Sequence, residues 1–389
     1  MYTILLIVIY IAFISLGLPD AILGSAWPIM YGELGVNVSA MGILTMIISG
    51  GTILSSAFSA KFINKFGTGK VTAVSVAMTA VALFGFSFSS AFWMLCLWGI
   101  PYGLGAGSVD AALNNFVALH YKSRHMSWLH CFWGLGAMIG PYVMGFCLSV
   151  NYTWNTGYRV IGIFQTVLVI GLFLTLFMWK KVEKADEDND IKQRNIGILQ
   201  VFKIPGAKEV LIAFFCYCAV EQTAGIWASS FLVLHKDIHP ETAATWASLF
   251  YLGITVGRFL CGFITDSVCD KNMIRLGQII IGIGILILFV PFGTGCSLIG
   301  LVLIGVGCAP IYPCIIHSTP KNFGPENSQA IMGVQMACAY VGSTFMPPVF
   351  GLVAEYINIG LYPVYLLLIL VCMVYMLERL NRKIKKYRG

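Results

Sequence analysis

The chain has 389 residues, of which 58% are hydrophobic and only 11% are charged, and its formal net charge is +7. Soluble domains carry about 25% charged residues, so this composition excludes an ordinary soluble protein. Apolar runs of about 20 residues recur along the whole chain, and each is long enough to cross a hydrocarbon core of about 30 Å.

These runs predict twelve transmembrane helices. The predicted spans, in chain order, are residues 4–31, 38–60, 71–90, 92–119, 127–149, 158–179, 209–234, 242–265, 274–292, 297–318, 328–352 and 359–378. No segment outside them is long enough to fold alone. The sequence therefore predicts an all-α integral membrane protein.

Basic residues follow the even-numbered spans, and short cytoplasmic loops collect Lys and Arg. These residues are Lys61, Lys65, Lys70, Lys122, Arg124, Lys271, Arg275 and Lys321, together with a basic tail over residues 379–388. We therefore expect a multi-pass protein of a bacterial plasma (inner) membrane with both termini in the cytoplasm. The same bias accounts for the positive net charge, so nucleic-acid binding is not expected.

The longest polar stretch, residues 180–195, divides the spans into two groups of six. It predicts an N-terminal half over residues 1–180, a cytoplasmic connector over 181–205 and a C-terminal half over 206–389. The halves resemble each other at an offset near 201, since Asp20 matches Glu221 and the spacing of nearby glycines repeats. Repeats of this kind predict two pseudo-symmetric six-helix halves with the solute bound between them.

Three acidic residues interrupt apolar runs: Asp20 in the first span, Asp110 in the fourth and Glu221 in the seventh. A charged side chain at mid-bilayer costs about 2.5–3.5 kcal/mol on insertion scales, and such residues usually mark an ion or substrate path. A carboxyl group that loses its water as a cavity closes can be neutral in one state and ionised in another. We therefore predict proton coupling at these three residues. The alternative is a buried carboxyl group fixed by hydrogen bonds between helices.

Asp110 is our first candidate for the proton-handling group, with Asp20 sharing that role or accepting hydrogen bonds from solute hydroxyls. Amides in the spans could bind hydroxyl groups, and aromatic rings could stack on a sugar. The candidate substrate-binding residues are Asn114, Asn115, Gln165, Gln222 and Gln335, with Trp27, Trp227 and Tyr312. For each of them, helix packing is the alternative role. Small residues at helical spacing, such as Gly136 and Gly140, predict close helix packing.

Residues 262–266 (GFITD) form a GxxxD motif after span eight, and residues 60–70 carry a degenerate copy after span two, with Asn64 in the acidic position. With Gly140-Pro141 and Gly257-Arg258, these motifs resemble the major facilitator superfamily. Within it, residues 18–20 (LPD), 103–114 and 309–313 (APIYP) resemble the fucose–galactose–glucose:proton symporter branch. The resemblance implies the major facilitator fold. It also implies a cytoplasmic gate that includes Asn64, Lys65, Arg258 and Asp266.

In the fucose permease that typifies this branch, acidic residues in spans one and four handle the proton and the sugar, and they correspond here to Asp20 and Asp110. Permeases of this branch carry Gln and Asn early in span five, whereas this chain has Leu-His-Cys-Phe-Trp at residues 129–133. The resemblance therefore implies proton coupling more strongly than a hexose substrate. We expect Arg258 to pair with Asp266 or with helix-end carbonyls, and His130 and His317 to be gate or interface residues.

The leading hypothesis is proton-coupled symport of a small neutral polar solute, such as a sugar, by alternating access. Sodium is an alternative coupling ion, because carboxylate and amide oxygens bind it as well. Proton-coupled efflux of amphipathic compounds is the main rival, and a receptor that binds without cycling is a third possibility. The sequence has no nucleophile–base pair, metal-ligand cluster or cofactor motif, so we expect neither an enzyme nor a cofactor or metal site. A monomer is the default for a self-contained bundle.

Overall fold

The computed structural model describes residues 2–20, 22–37, 40–150, 152–188, 196–238, 240–265, 267–290 and 294–388. Within these ranges the chain is helical and forms no strand. The helices of the N-terminal part are α1 (Tyr2–Asp20), α2 (Ile22–Glu33), α3 (Ala40–Phe66), α4 (Thr68–Phe88), α5 (Phe92–His120), α6 (Ser123–Ser149), α7 (Trp154–Leu174) and α8 (Leu176–Asp188). Those that follow are α9 (Ile198–Val201), α10 (Ala207–Lys236), α11 (Pro240–Ile264), α12 (Asp270–Phe289), α13 (Thr294–Cys308), α14 (Ile311–Phe323), α15 (Pro325–Val353) and α16 (Tyr362–Arg388).

Ten helical runs in the described part of the chain are long and apolar enough to cross a membrane. The last, Pro325–Lys385, has 61 residues and contains both α15 and α16, which a π-helical segment and a 3-10 turn separate. A shorter apolar helix, Leu249–Ile264, adds one more candidate. With the long run counted as two spans, the total is the twelve that the sequence predicts. The predicted all-α membrane class is confirmed.

Helices are the expected solution here, because a backbone in lipid must satisfy its own hydrogen bonds. Many of the exposed side chains on these helices are large and apolar. Phe88, Tyr142, Phe177 and Leu368 are each about two-thirds exposed or more. Contact with lipid tails explains such exposure, which would be costly in water.

The chain divides into two compact units. The first unit contains Met1–Phe116, Leu129–Ile196 and Pro325–Ala337, and the second contains Val117–Trp128, Gly197–Gly324 and Cys338–Gly389. Each unit thus includes one short segment from the other predicted half. Of the predicted connector at 181–205, residues 181–188 continue α8 and residues 198–201 form α9, while 189–195 lie outside the described residues.

Close packing between α1 and α6 shapes the interior of the first unit. A β-carbon at Gly17 of α1 would overlap the backbone carbonyl of Trp133 on α6. In the other direction, Gly136 and Gly140 of α6 face the carbonyls of Ile14 and Leu18. Small residues allow the two helix backbones to approach this closely. As a result, the Trp133 side chain comes within hydrogen-bonding distance of the end of α1.

Candidate functional site

Asp20 lies on α1 in the first unit, and its side chain is exposed. Tyr102 of α5 donates its hydroxyl to Oδ1 of Asp20 at 3.0 Å, and the Trp133 indole N–H donates to Oδ2 at 2.9 Å. Both partners are neutral. Among the residues that the structure describes, no cation forms a salt bridge with Asp20. The carboxylate is therefore held by hydrogen bonds and by no counter-ion.

A cavity of about 130 Å³ opens beside Asp20, lined by polar groups and apolar rings. At about 30 Å³ per molecule, it has room for about four waters. Tyr158 lines this cavity, is 1% exposed, and has a buried hydroxyl without a hydrogen-bond partner. The hydroxyls of Thr45 and Ser49 lie on the same wall. The cavity therefore offers one carboxylate and several hydroxyl groups to a small polar molecule.

Asp110 lies on α5 and is buried, with 5% of its surface exposed. Asn114, one turn later and fully buried, donates from Nδ2 to Oδ1 of Asp110 at 2.8 Å and to the Asp110 carbonyl at 2.9 Å. On the other side of the amide, Asn114 Oδ1 lies 3.1 Å from Nε2 of His130 on α6. The three side chains form one chain of hydrogen bonds inside the first unit.

The two acceptors at Asn114 Nδ2 fix which way the amide points. Its oxygen must then face His130, so Nε2 of that ring carries a hydrogen and donates it. Oδ1 of Asp110 is an acceptor in this arrangement. His130 is thus linked to Asp110 through the amide of Asn114.

Glu221 of α10 and Arg258 of α11 form an ion pair in the second unit, with 3.0 Å between Oε1 and a guanidinium nitrogen. Arg258 is 5% exposed, and its guanidinium group also donates to the Tyr217 hydroxyl at 3.4 Å. That hydroxyl in turn donates to the Cys308 carbonyl at 3.1 Å. Arg258 therefore pairs with Glu221 within the bundle, a partner that the sequence did not predict. Its predicted partner Asp266 lies outside the described residues.

Three of the predicted substrate-binding residues are buried and contact other side chains or the backbone. Gln165 is 1% exposed; its amide donates to the Ser15 carbonyl and its oxygen accepts from the Thr79 hydroxyl. Trp27 is 3% exposed and packs edge-on against Phe92. Asn115 donates to Gln329 at 2.6 Å.

The remaining predicted contacts lie in the second unit or in α15. Trp227 is half-buried and donates to the Pro347 carbonyl at 2.9 Å. Tyr312 is half-buried, and its ring lies 5.9 Å from that of Tyr217, beside the ion pair. Gln222 is half-buried next to Glu221, whereas Gln335 is fully buried. Of these four residues, Tyr312 lies beside the Glu221–Arg258 pair in the fold, and Gln222 follows Glu221 in the chain.

Two residues of the predicted gate lie near the end of α3. Asn64 is partly buried, and Lys65 is exposed with its ammonium group 5.2 Å from the Phe66 ring.

Sequence reasoning missed the three aromatic residues around Asp20: Tyr102, Trp133 and Tyr158. One signal was available, because residues 129–133 depart from the pattern of the resembling branch. Both His130 and Trp133 lie in that segment, and both contact the acidic groups or their partners.

The apolar helices and the acidic residues within them define a multi-pass membrane protein of the transporter type. The sequence profile of the Major Facilitator Superfamily matches residues 9–237 and 210–386. The chain therefore belongs to the Major Facilitator Superfamily, and this prediction from the sequence is confirmed. The fold is that of transporters in this superfamily.

Two relatives have modest similarity to the chain. The glucose/mannose transporter GlcP of Bacillus subtilis (strain 168) is 24% identical over 313 residues, which are 78% of this chain and 77% of GlcP. Bypass of stop codon protein 6 of Saccharomyces cerevisiae is 23% identical over 283 residues, which are 66% of this chain. The match spans only 56% of the length of the yeast protein.

Two solved structures have the same fold. The proton:xylose symporter XylE, bound to 6-bromo-6-deoxy-D-glucose, superimposes with a TM-score of 0.78 at 13% identity, over 95% of this chain and 94% of XylE. FucP in the outward conformation gives a TM-score of 0.76 at 15% identity, over 96% of this chain and 99% of FucP. At such identities the likeness shows the fold alone.

Proposed function

We propose that this chain is a secondary active transporter that carries a small neutral polar solute, such as a sugar, together with a proton. The observation that carries the proposal is Asp20, a carboxylate in a membrane-spanning helix that is exposed to a cavity and held by neutral donors. Acidic residues inside membrane spans are costly, and they usually mark an ion or substrate path.

In this proposal Asp20 exchanges a proton with the water of the cavity, and Asp110 is a second acid linked to His130 through Asn114. When Asp20 gains a proton, the Tyr102 and Trp133 donors lose part of their attraction to it. A solute hydroxyl can then compete for the same oxygens. Tyr158 and the cavity hydroxyls are the proposed additional solute contacts.

Glu221 differs, because its charge is already neutralised by Arg258. Protonation of Glu221 would leave a buried guanidinium group without its partner, and such unpaired buried charges are strongly destabilising. This contact favours a fixed ion pair over a proton carrier at Glu221. Asn64, Lys65, Arg258 and Asp266 remain proposed gate residues.

The names of the similar proteins support a sugar as the solute class. GlcP is described as a glucose/mannose transporter, and XylE is described as a proton:xylose symporter. We further propose a monomer in a bacterial plasma (inner) membrane, with both termini in the cytoplasm. One proton crossing 100 mV supplies about 2.3 kcal/mol, which sustains a solute gradient of roughly fiftyfold.

Solute-evoked current on a solid-supported membrane tests the proposal. Purified protein in liposomes would be exposed to hexoses, deoxyhexoses, amino sugars, polyols and nucleosides, with and without sodium. We expect a sodium-independent inward current for one class, which Asp20→Asn and Asp110→Asn abolish. Glu355→Gln is the matched control, because it neutralises an exposed carboxylate outside the site.

Two outcomes would contradict the proposal. A current that requires sodium would identify sodium, and not the proton, as the coupling ion. Silence across the panel, with proton release on addition of hydrophobic cations, would favour efflux by antiport.

A further inference from the structure

A second cavity, of about 350 Å³, lies in the second unit among the ends of three helices. It is bounded by the start of α12, the end of α14 and the charged end of α16. None of the residues that line it contributes to the Asp20 cavity or to the Glu221 ion pair. Its volume lies within the range of about 300–1,000 Å³ that is typical of ligand pockets.

Basic side chains outnumber acidic ones in the lining of this cavity. The basic residues are Lys271, Arg275, Lys321 and Lys385, and the acidic ones are Asp270 and Glu378, so the lining carries a net charge of +2. Concave sites lined by one sign of charge concentrate ions of the opposite sign.

Both carboxylates at the cavity are already occupied by donors. Glu378 accepts two hydrogen bonds from the Arg275 guanidinium group, each 2.7 Å long. Asp270 accepts from the Ser123 hydroxyl at 2.6 Å, and its other oxygen lies 2.8 Å from Nδ1 of His317. Both carboxylates therefore already accept hydrogen bonds from other side chains of the protein.

The three lysines at the cavity differ from Arg275, which forms a bidentate salt bridge. In the part of the chain that the structure describes, none of Lys271, Lys321 and Lys385 forms a salt bridge, and all three are exposed. Lys271 does interact electrostatically with Glu378, whose carboxylate is bound by Arg275. They come from three different helix ends and meet only at this cavity. Lysine is a common ligand for phosphate groups, to which it presents three N–H donors.

A buried donor on the cavity wall points to the same kind of ligand. Gln278 is 6% exposed, and its Nε2 atom is buried without a hydrogen-bond partner. Buried amide groups in folded proteins nearly always have a partner. A bound acceptor oxygen would satisfy this group.

We propose that this cavity binds an organic phosphate, with the phosphate oxygens on Lys271, Lys321, Lys385 and Gln278. Apolar side chains on the same wall, including Ile274, Ile315 and Leu377, suit the carbon part of the ligand. Both a phospholipid headgroup and a soluble phosphate ester have this chemistry. Basic pockets between spans are known to bind anionic headgroups on the cytoplasmic side, where the positive-inside pattern predicts this end of the unit.

Binding to the purified full chain in neutral detergent tests the proposal. The lipid probe is phosphatidylglycerol in mixed micelles, compared with phosphatidylcholine, and the soluble probe is glycerol 3-phosphate, compared with glycerol at matched ionic strength. Affinity is measured by calorimetry or native mass spectrometry, and ligand-induced stabilisation is followed as the shift in Tm.

The test variant is Lys271→Gln/Lys321→Gln/Lys385→Gln. We expect it to weaken binding of the responding phosphate probe at least tenfold. The control Lys61→Gln/Lys70→Gln/Lys122→Gln removes the same charge from exposed lysines elsewhere and should change affinity less than twofold. Gln278→Leu should weaken binding several-fold while leaving the net charge unchanged.

The two probes distinguish the sources. Tighter binding of phosphatidylglycerol alone would identify a lipid site, and tighter binding of glycerol 3-phosphate would identify a soluble ligand; either supports the proposal. Equal losses in the test variant and the lysine control would overturn it, because the effect would then be general charge attraction. It would also be overturned if neither phosphate probe bound more tightly than its uncharged or zwitterionic counterpart.

Discussion

Asp20 in the first unit and Glu221 in the second occupy matching positions of the predicted repeat, but their hydrogen-bonding and charged neighbours differ. Asp20 is exposed to a cavity and accepts hydrogen bonds from a phenol and an indole. Glu221 is paired with a buried guanidinium group. The same position therefore carries a carboxylate without a counter-ion in one unit and a neutralised one in the other. The first can change its protonation state without leaving an unpaired buried cation behind.

The sequence predicts a repeat with an acidic residue at the same position of both halves. In the structure the two residues differ, because Glu221 pairs with a cation and Asp20 accepts hydrogen bonds from neutral donors. We expect the unit with Asp20 to handle the proton and the unit with Glu221 to keep a fixed charge.

Arg258→Met should have the largest effect, on stability. It leaves Glu221 as an uncompensated carboxylate inside the bundle, and breaking a buried pair in this way costs about 3–5 kcal/mol. Thermal unfolding in detergent should show a large fall in Tm. The double variant Glu221→Met/Arg258→Met removes both charges and should recover most of the loss. A single variant as stable as the wild type would mean that the pair is not the neutralising contact.

Asp20→Asn should abolish coupling rather than folding. The amide is nearly isosteric and keeps an acceptor for Tyr102 or Trp133, but it cannot carry a proton. We expect proton-driven uptake to fall about a hundredfold, equivalent to about 2.7 kcal/mol of barrier. Uptake assays in vesicles with an imposed pH gradient measure this, and Tm should change little. Undiminished accumulation would exclude Asp20 as a proton carrier.

Asn114→Leu should destabilise the first unit by about 2 kcal/mol, because it removes the partner of both Asp110 and His130. His130→Gln is the matched variant, since glutamine can still donate an N–H to the Asn114 oxygen, and it should cost less. Thermal unfolding compares the two. Equal losses would indicate that the ring packs without contributing its hydrogen bond.

Trp133→Phe should have the smallest effect of the four. It keeps an aromatic ring on α6 but removes the donor to Asp20 Oδ2, and a hydrogen bond to a charged group is worth about 1.5–3 kcal/mol before compensation by cavity water. We expect uptake to change about fivefold. Asp20 still accepts from Tyr102, so Tyr102→Phe/Trp133→Phe should have a larger effect than either change alone.

The fold was largely predictable from the sequence, because membrane spans depend on local composition and length. The eleventh span, predicted at 328–352, is found at Pro325–Val353. The superfamily could also be predicted, since its motifs are contiguous in the chain.

The site was only partly predictable, because its contacts join residues that are distant in the chain. Asp20 meets Tyr102 and Trp133, which lie 82 and 113 positions away. The proximity of Asp110 and Asn114 follows from the sequence, because residues four apart share one face of a helix. By contrast, Gln165 was predicted as a solute contact because an amide side chain can bind hydroxyl groups. Its burial depends on where Ser15 and Thr79 lie in the folded unit.

Solute-evoked proton movement, recorded with a pH-sensitive dye trapped inside proteoliposomes, tests the central comparison most directly. The samples are wild type, Asp20→Asn and Glu221→Met/Arg258→Met at equal amounts of folded protein, with the solute that evokes the wild-type current. We predict that Asp20→Asn abolishes acidification of the lumen, while the double variant retains it. Acidification that persists in Asp20→Asn and disappears in the double variant would contradict the account and assign the proton to the second unit.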